Sequence, residues 1–101
     1  MFLLNNNAMT KELLYKEIAN INEVAERRKK ALYVEYVRTN AKYKIGDIIF
    51  DGVNSIKITS IMYEMVHGNI EILYSGIMLT KQLKPRKDGS KGYIYENRIK
   101  F

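Results

Sequence analysis

Seven side chains near the C-terminus carry the clearest chemistry in this sequence. Lys84, Arg86, Lys87 and Lys91 lie in one segment punctuated by Pro85, Gly89 and Gly92; Tyr93 and Tyr95 then alternate around Ile94, and Arg98 follows. Ammonium and guanidinium groups supply charge for phosphate, and a tyrosine ring supplies a flat face for a base. That combination points to an anionic ligand, either nucleic acid or a nucleotide. A plainer arrangement is open on the same residues: Tyr93 and Tyr95 share one face of a strand, and that face is either core or surface. The last twenty residues hold six cations against Asp88 and Glu96, within a chain of 17 Lys+Arg and 11 Asp+Glu whose net charge is +6. A basic imbalance of this kind favours anionic partners, although it also serves solubility alone.

Other reactive types are sparse. His67 is the single histidine and stands beside Gly68 in a predicted turn, with no serine or cysteine nucleophile indicated nearby. Asp47 and Asp51 flank one apolar run, where Gly-Asp and Asp-Gly are ordinary turn pairs rather than an acid–base couple. Asp88-Gly89-Ser90-Lys91-Gly92 matches neither glycine-rich phosphate loop. Met62 and Met78 read as core fillers. Arg27-Arg28-Lys29-Lys30 spreads around a helix as a solvated face. These observations predict a non-enzymatic protein without cofactor or metal. The chain has no cysteine, hence neither disulfide nor thiolate site, which fits a reducing compartment. Residues 1–7 lack the basic leader and apolar length of a signal peptide, and no stretch approaches the ~20 apolar residues of a membrane span. A cytoplasmic location is expected.

The elements that must position these groups change character near Asn40. Residues 1–9 read as a disordered leader and residues 10–101 as a single domain. Thr10 is a candidate N-cap, with Glu12 in the first turn. Leu14, Ile18, Ile21, Ala25, Leu32 and Tyr36 form an apolar stripe of helical period over residues 10–39. Residues 31–38 are rich enough in β-branched and aromatic types for a strand, but the stripe runs into them and makes them the helix end. Tyr15, Tyr33 and Val37 lie about a quarter-turn or more off the stripe and form a second apolar set. Short strands follow over residues 45–50, 55–66, 70–75, 77–83 and 93–95. Asp51-Gly52, His67-Gly68-Asn69, Gly76 and the segment 84–92 separate them, and residues 96–99 suit one helical turn. The fold expected is α+β: one long N-terminal helix packed on a small, strongly bent antiparallel sheet or a five-stranded SH3-like barrel over residues 43–101.

Lys44-Ile45-Gly46-Asp47-Ile48-Ile49, Asp51-Gly52 and Ile56-Lys57-Ile58, followed by Tyr74, Gly76, Leu79-Thr80-Lys81, Pro85, Lys87, Gly89 and Tyr95-Glu96-Asn97, resemble small uncharacterised proteins of Bacteroidetes and of their phages and mobile elements. The resemblance covers about residues 42–100. Lys-Ile-Gly-Asp-Ile-Ile is also similar to the first strand of SH3-like barrels, including the RNA-binding type of ribosomal and transcription-factor proteins. The resemblance implies the barrel and carries over no binding residue. It also implies a phage or mobile-element accessory protein in the host cytoplasm, with counter-defence as one role. Two functions are therefore expected in competition. One is an anion-binding module using Lys84, Arg86, Lys87, Lys91, Tyr93, Tyr95 and Arg98. The other is a protein-binding inhibitor of a host system, acting through the helix or an exposed barrel edge, or a homodimeric or higher-order accessory subunit assembled through the N-terminal helix.

Overall fold

The computed structural model describes residues 9–100; the leader expected over residues 1–9 lies, apart from Met9, outside them. Contacts divide the chain into two units, Met1–Leu32 and Tyr33–Phe101, with the boundary inside a single helix α1, Lys11–Asn40. The helix starts where expected because the Thr10 hydroxyl accepts the Leu13 N–H at 3.0 Å, satisfying one orphan donor of the first turn. It ends with the Asn40 amide donating to the Tyr36 carbonyl at 2.9 Å. Residues 31–38 are helical, so continuity of pattern outweighs their strand propensity. In the first unit the stripe residues Leu14, Ile18, Ile21 and Leu32 are exposed.

The second unit is built on a four-stranded antiparallel sheet in the order β1-β2-β3-β4: β1 Ile48–Phe50, β2 Ser55–Val66, β3 Asn69–Leu79 and β4 Lys91–Tyr95. A 3-10 turn, Glu96–Arg98, follows β4. It returns the chain to β1, where the Lys100 N–H donates to the Phe50 carbonyl at 2.7 Å. The sheet curls over a core of Val37, Ile49, Ile56, Ile58, Ile72, Tyr74 and Ile94. Each such buried side chain contributes about 1.5–3 kcal/mol of transfer free energy. Val37 and Tyr33, which packs its ring 5.1 Å from that of Tyr63, belong to this unit, so two of the three members of the second apolar set are used internally, while Tyr15 is 64% exposed.

Four strands replace the expected five, and Gly76 is the reason. It was expected to end a strand, yet β3 runs through it to Leu79. A Cβ at Gly76 would sit 2.0 Å from the Lys57 carbonyl oxygen, so only glycine allows β2 and β3 to pass this closely. The register slips beside this contact, between Ile58 and Ser60 on β2, which is where the sheet bends. Residues 45–47, expected in the first strand, belong instead to a turn that starts at Lys44: Gly46 has φ +98, and the Asp47 carboxylate accepts the Lys44 N–H at 3.0 Å.

Candidate functional site

Alternation along β4 resolves the open question about its tyrosines. Ile94 is buried in the core, whereas Tyr93 on the opposite face is 62% exposed. Lys91, Tyr93 and Tyr95 thus stand on the outer face, since successive strand residues point to opposite sides. Strand register then sets out that face row by row. Ile48, Lys57, Ile77 and Lys91 share one row across all four strands. Ser60, Ser75 and Tyr93 form the next, Met62, Leu73 and Tyr95 the one after, and Glu64 opposite Glu71 the last. The face therefore grades from two lysines, through an exposed aromatic, to two carboxylates.

The seven residues singled out in the sequence separate into three groups. Lys91 and Tyr93 come together on the outer face and gain Lys57, two strand spacings (~10 Å) from Lys91. Lys84 and Lys87 are exposed in the segment 80–90, which is closed on itself by Thr80 N–H to the Lys84 carbonyl (2.8 Å) and tied back to β3 by Arg86 N–H to the Met78 carbonyl (3.1 Å). Arg86 in the same segment is half-buried: its Nη2 donates to Asn54 Oδ1 at 3.1 Å and its Nε to the Leu79 carbonyl at 3.5 Å. Tyr95 and Arg98 are placed elsewhere, at the acidic end. The Tyr95 hydroxyl donates to the Glu64 carboxylate, which pushes its pKa up, and Glu71, Tyr95, Asn97 and Arg98 line a cavity of about 140 Å³.

Among the described residues, the ion pairs are Arg27–Glu23, Lys29–Glu26, Arg38–Glu35 and Lys44–Asp47, so the carboxylates leave Lys57, Lys84, Arg86, Lys87 and Lys91 unpaired. Two acids near the site, Asp51 and Asp88, are engaged with the backbone. Asp51 accepts the N–H groups of Asn54 (2.7 Å) and Val53 (2.8 Å), which hold its pKa below the usual carboxylate range. Asp88 accepts the Ser90 N–H at 3.0 Å, and that bond lowers its pKa in the same way. Asp47 and Asp51 are thus turn residues, and His67 occupies a turn at φ 51. Groups of three or more His, Cys, Asp or Glu able to hold a metal are absent among the described residues.

Beyond the lysine row, Phe50, Ser55 and Leu79 form a further row on the same face. There a recess of about 400 Å³ opens, lined by these three with Val53, Asn54, Thr80, Lys81 and Arg86. Sequence reasoning missed Lys57, Lys81, Phe50 and Val53 as site residues. The alternation of Ile56, Lys57 and Ile58 sets Lys57 on the face opposite the core, but only register reveals its alignment with Lys91. No helix among the described residues is long and apolar enough to cross a membrane. No protein-family model matches this chain, and neither does a curated protein or a solved structure.

Proposed function

We propose that this protein is a non-enzymatic binding module for an anionic ligand, with single-stranded nucleic acid the best fit. The observation that carries this reading is the row Lys57–Ile77–Lys91 beside an exposed Tyr93. Two unpaired ammonium groups attract phosphates, while the neighbouring ring offers a stacking face that tolerates any base. The outer face of the curled sheet, with its spread charge, suits a strand; Lys84 and Lys87 extend the positive field at its margin. Duplex grooves, by contrast, are read by protruding helices or ribbons, and Tyr93 stands on the outer face of the edge strand β4. The test is fluorescence anisotropy with labelled single-stranded DNA, single-stranded RNA and duplex across a salt series. Affinity should fall with salt at a slope of about −0.7 per phosphate contacted, and Lys57→Ala with Lys91→Ala should reduce that slope by roughly 1.4. Binding insensitive to salt, or to both substitutions, would remove the proposal.

A second reading rests on the helix. Leu14, Ile18, Ile21 and Leu32 remain exposed along one stripe, and a second copy of the same stripe is a simple cover for it. On this reading the chain is a homodimeric accessory subunit or a protein-binding inhibitor of a host system. The resemblance over residues 42–100 favours a phage or mobile-element accessory protein of the host cytoplasm under either reading.

A further inference from the structure

We infer that the recess beside Arg86 is a subsite for one phosphorylated nucleotide, taken either free or as the phosphate-bearing end of a strand lying on the sheet face. The choice of a nucleotide rests on the nucleic-acid reading; the recess itself is an independent observation. It begins one same-face row beyond Lys57 and Lys91, about 7 Å along the strands, so the two surfaces are continuous. Its volume, about 400 Å³, falls in the range of small-molecule sites (~300–1,000 Å³).

The chemistry of the lining is divided. Arg86 is held in place by Asn54 Oδ1 and the Leu79 carbonyl, and Asn54 is fixed in turn by its N–H bond to Asp51. Those contacts occupy two of the five guanidinium N–H donors and leave three, in a planar fork matched to phosphate oxygens. Lys81 adds a second, exposed cation at the rim. Asp88 is the carboxylate that senses the charge of Arg86, and it is turned onto the Ser90 N–H. Facing the cations is an apolar wall: Phe50 is 41% and Val53 81% exposed, although both adjoin the sheet. Exposed Phe and Val beside a pre-oriented arginine suit a ligand that is flat and apolar at one end and anionic at the other. A base against Phe50 and a phosphate on Arg86 satisfy both.

The experiment titrates the full chain with ten-nucleotide single strands bearing a 5′-phosphate, a 3′-phosphate or hydroxyls at both ends, and with adenosine 5′-monophosphate, adenosine and inorganic phosphate. One phosphorylated end should bind about tenfold tighter than the hydroxyl strand, and the monophosphate should compete where adenosine and inorganic phosphate do not. Arg86→Gln should abolish that tenfold preference while leaving the hydroxyl strand bound. Because Arg86 also supports the β1–β2 turn, Val53→Glu provides a second variant. Its exposed side chain sets a carboxylate against the subsite without touching the core, and it should erase the same preference. Equal affinity for all three strands, or equal weakening of all three by Val53→Glu, overturns the subsite. Monophosphate binding without any strand binding keeps the subsite and refutes the sheet-face reading.

Discussion

Replacing Tyr74 by phenylalanine isolates the polar junction that joins the helix end to the last turn of the second unit. Tyr74 is fully buried, and its hydroxyl sits at the centre of three interactions. It donates to the Glu96 carboxylate and accepts the N–H groups of Lys42 at 3.1 Å and Tyr43 at 3.3 Å. In Tyr74→Phe the Lys42 N–H keeps the Glu96 oxygen at 3.2 Å, but the Tyr43 N–H loses this acceptor and the carboxylate loses its donor. The ring, packed edge-on against Tyr43 at 5.8 Å, is unchanged. A charge-assisted bond plus one stranded donor is worth about 2–3 kcal/mol, which lowers Tm by roughly 10–20 °C in a unit of this size. The same site sets an alkaline limit. Burial first, then the bond to Glu96, raises the Tyr74 pKa well above its ordinary 10.0. The stability this contributes is fully present below pH ~10 and is lost as pH rises toward the folded value, by ~1.4 kcal/mol per pH unit. Urea denaturation at pH 7, 10 and 11 reads both effects. Tyr74→Phe should be less stable at pH 7 and should decline less steeply above pH 10. A loss below ~0.5 kcal/mol, or an unchanged alkaline slope, would refute the reasoning.

Three further outcomes are expected. Gly76→Ala drives a Cβ into the Lys57 carbonyl at 2.0 Å, so thermal denaturation should show a loss above ~3 kcal/mol or no cooperative transition. Tyr93→Ala removes an exposed ring; it should leave stability within ~0.5 kcal/mol while costing about 1–3 kcal/mol of single-strand affinity by anisotropy. If the helix stripe is a self-association seam, light scattering should show an oligomer that Ile18→Glu with Ile21→Glu converts to monomer. A monomeric parent protein would leave the helix reading without support.

Much of the fold was legible because local signals agreed with one another. Thr10 as N-cap, the period of Leu14, Ile18 and Ile21, and the turns at Asp51-Gly52 and His67-Gly68 each state their structure in adjacent residues. Gly76 misled because its reason for being glycine lies on another strand, at the Lys57 carbonyl. Gly46 is the converse: a glycine within an apolar run marks a turn at positive φ, and the strand begins only at Ile48. The site was partly legible for the same reason. Composition identified the cationic segment and its aromatic flank, but segment membership is not spatial membership. Tyr95 and Arg98, a few residues from Tyr93, stand among Glu64 and Glu71, while Lys57, more than thirty residues away in sequence, shares a row with Lys91.

The order of charges on the outer face is not what stability alone would select. Opposite charges in register across neighbouring strands stabilise a sheet, and like charges opposite each other weaken it. Here Glu64 faces Glu71 directly, and the two lysines of another row are separated only by Ile77. Exchanging one member of each row would neutralise both at no cost to the core. The Tyr95 hydroxyl offsets part of the acidic penalty by donating to Glu64, but no corresponding acid neutralises Lys57 and Lys91 among the described residues. A face that keeps its cations together at one end and its carboxylates at the other repels a polyanion from the acidic rows. Under the proposed function, that repulsion would confine the strand to the span between Tyr93 and the Arg86 recess. Segregated charge is a liability to the folded chain and an asset to a surface that must position a phosphate strand, and that asymmetry is the physical ground for reading this face as the functional one.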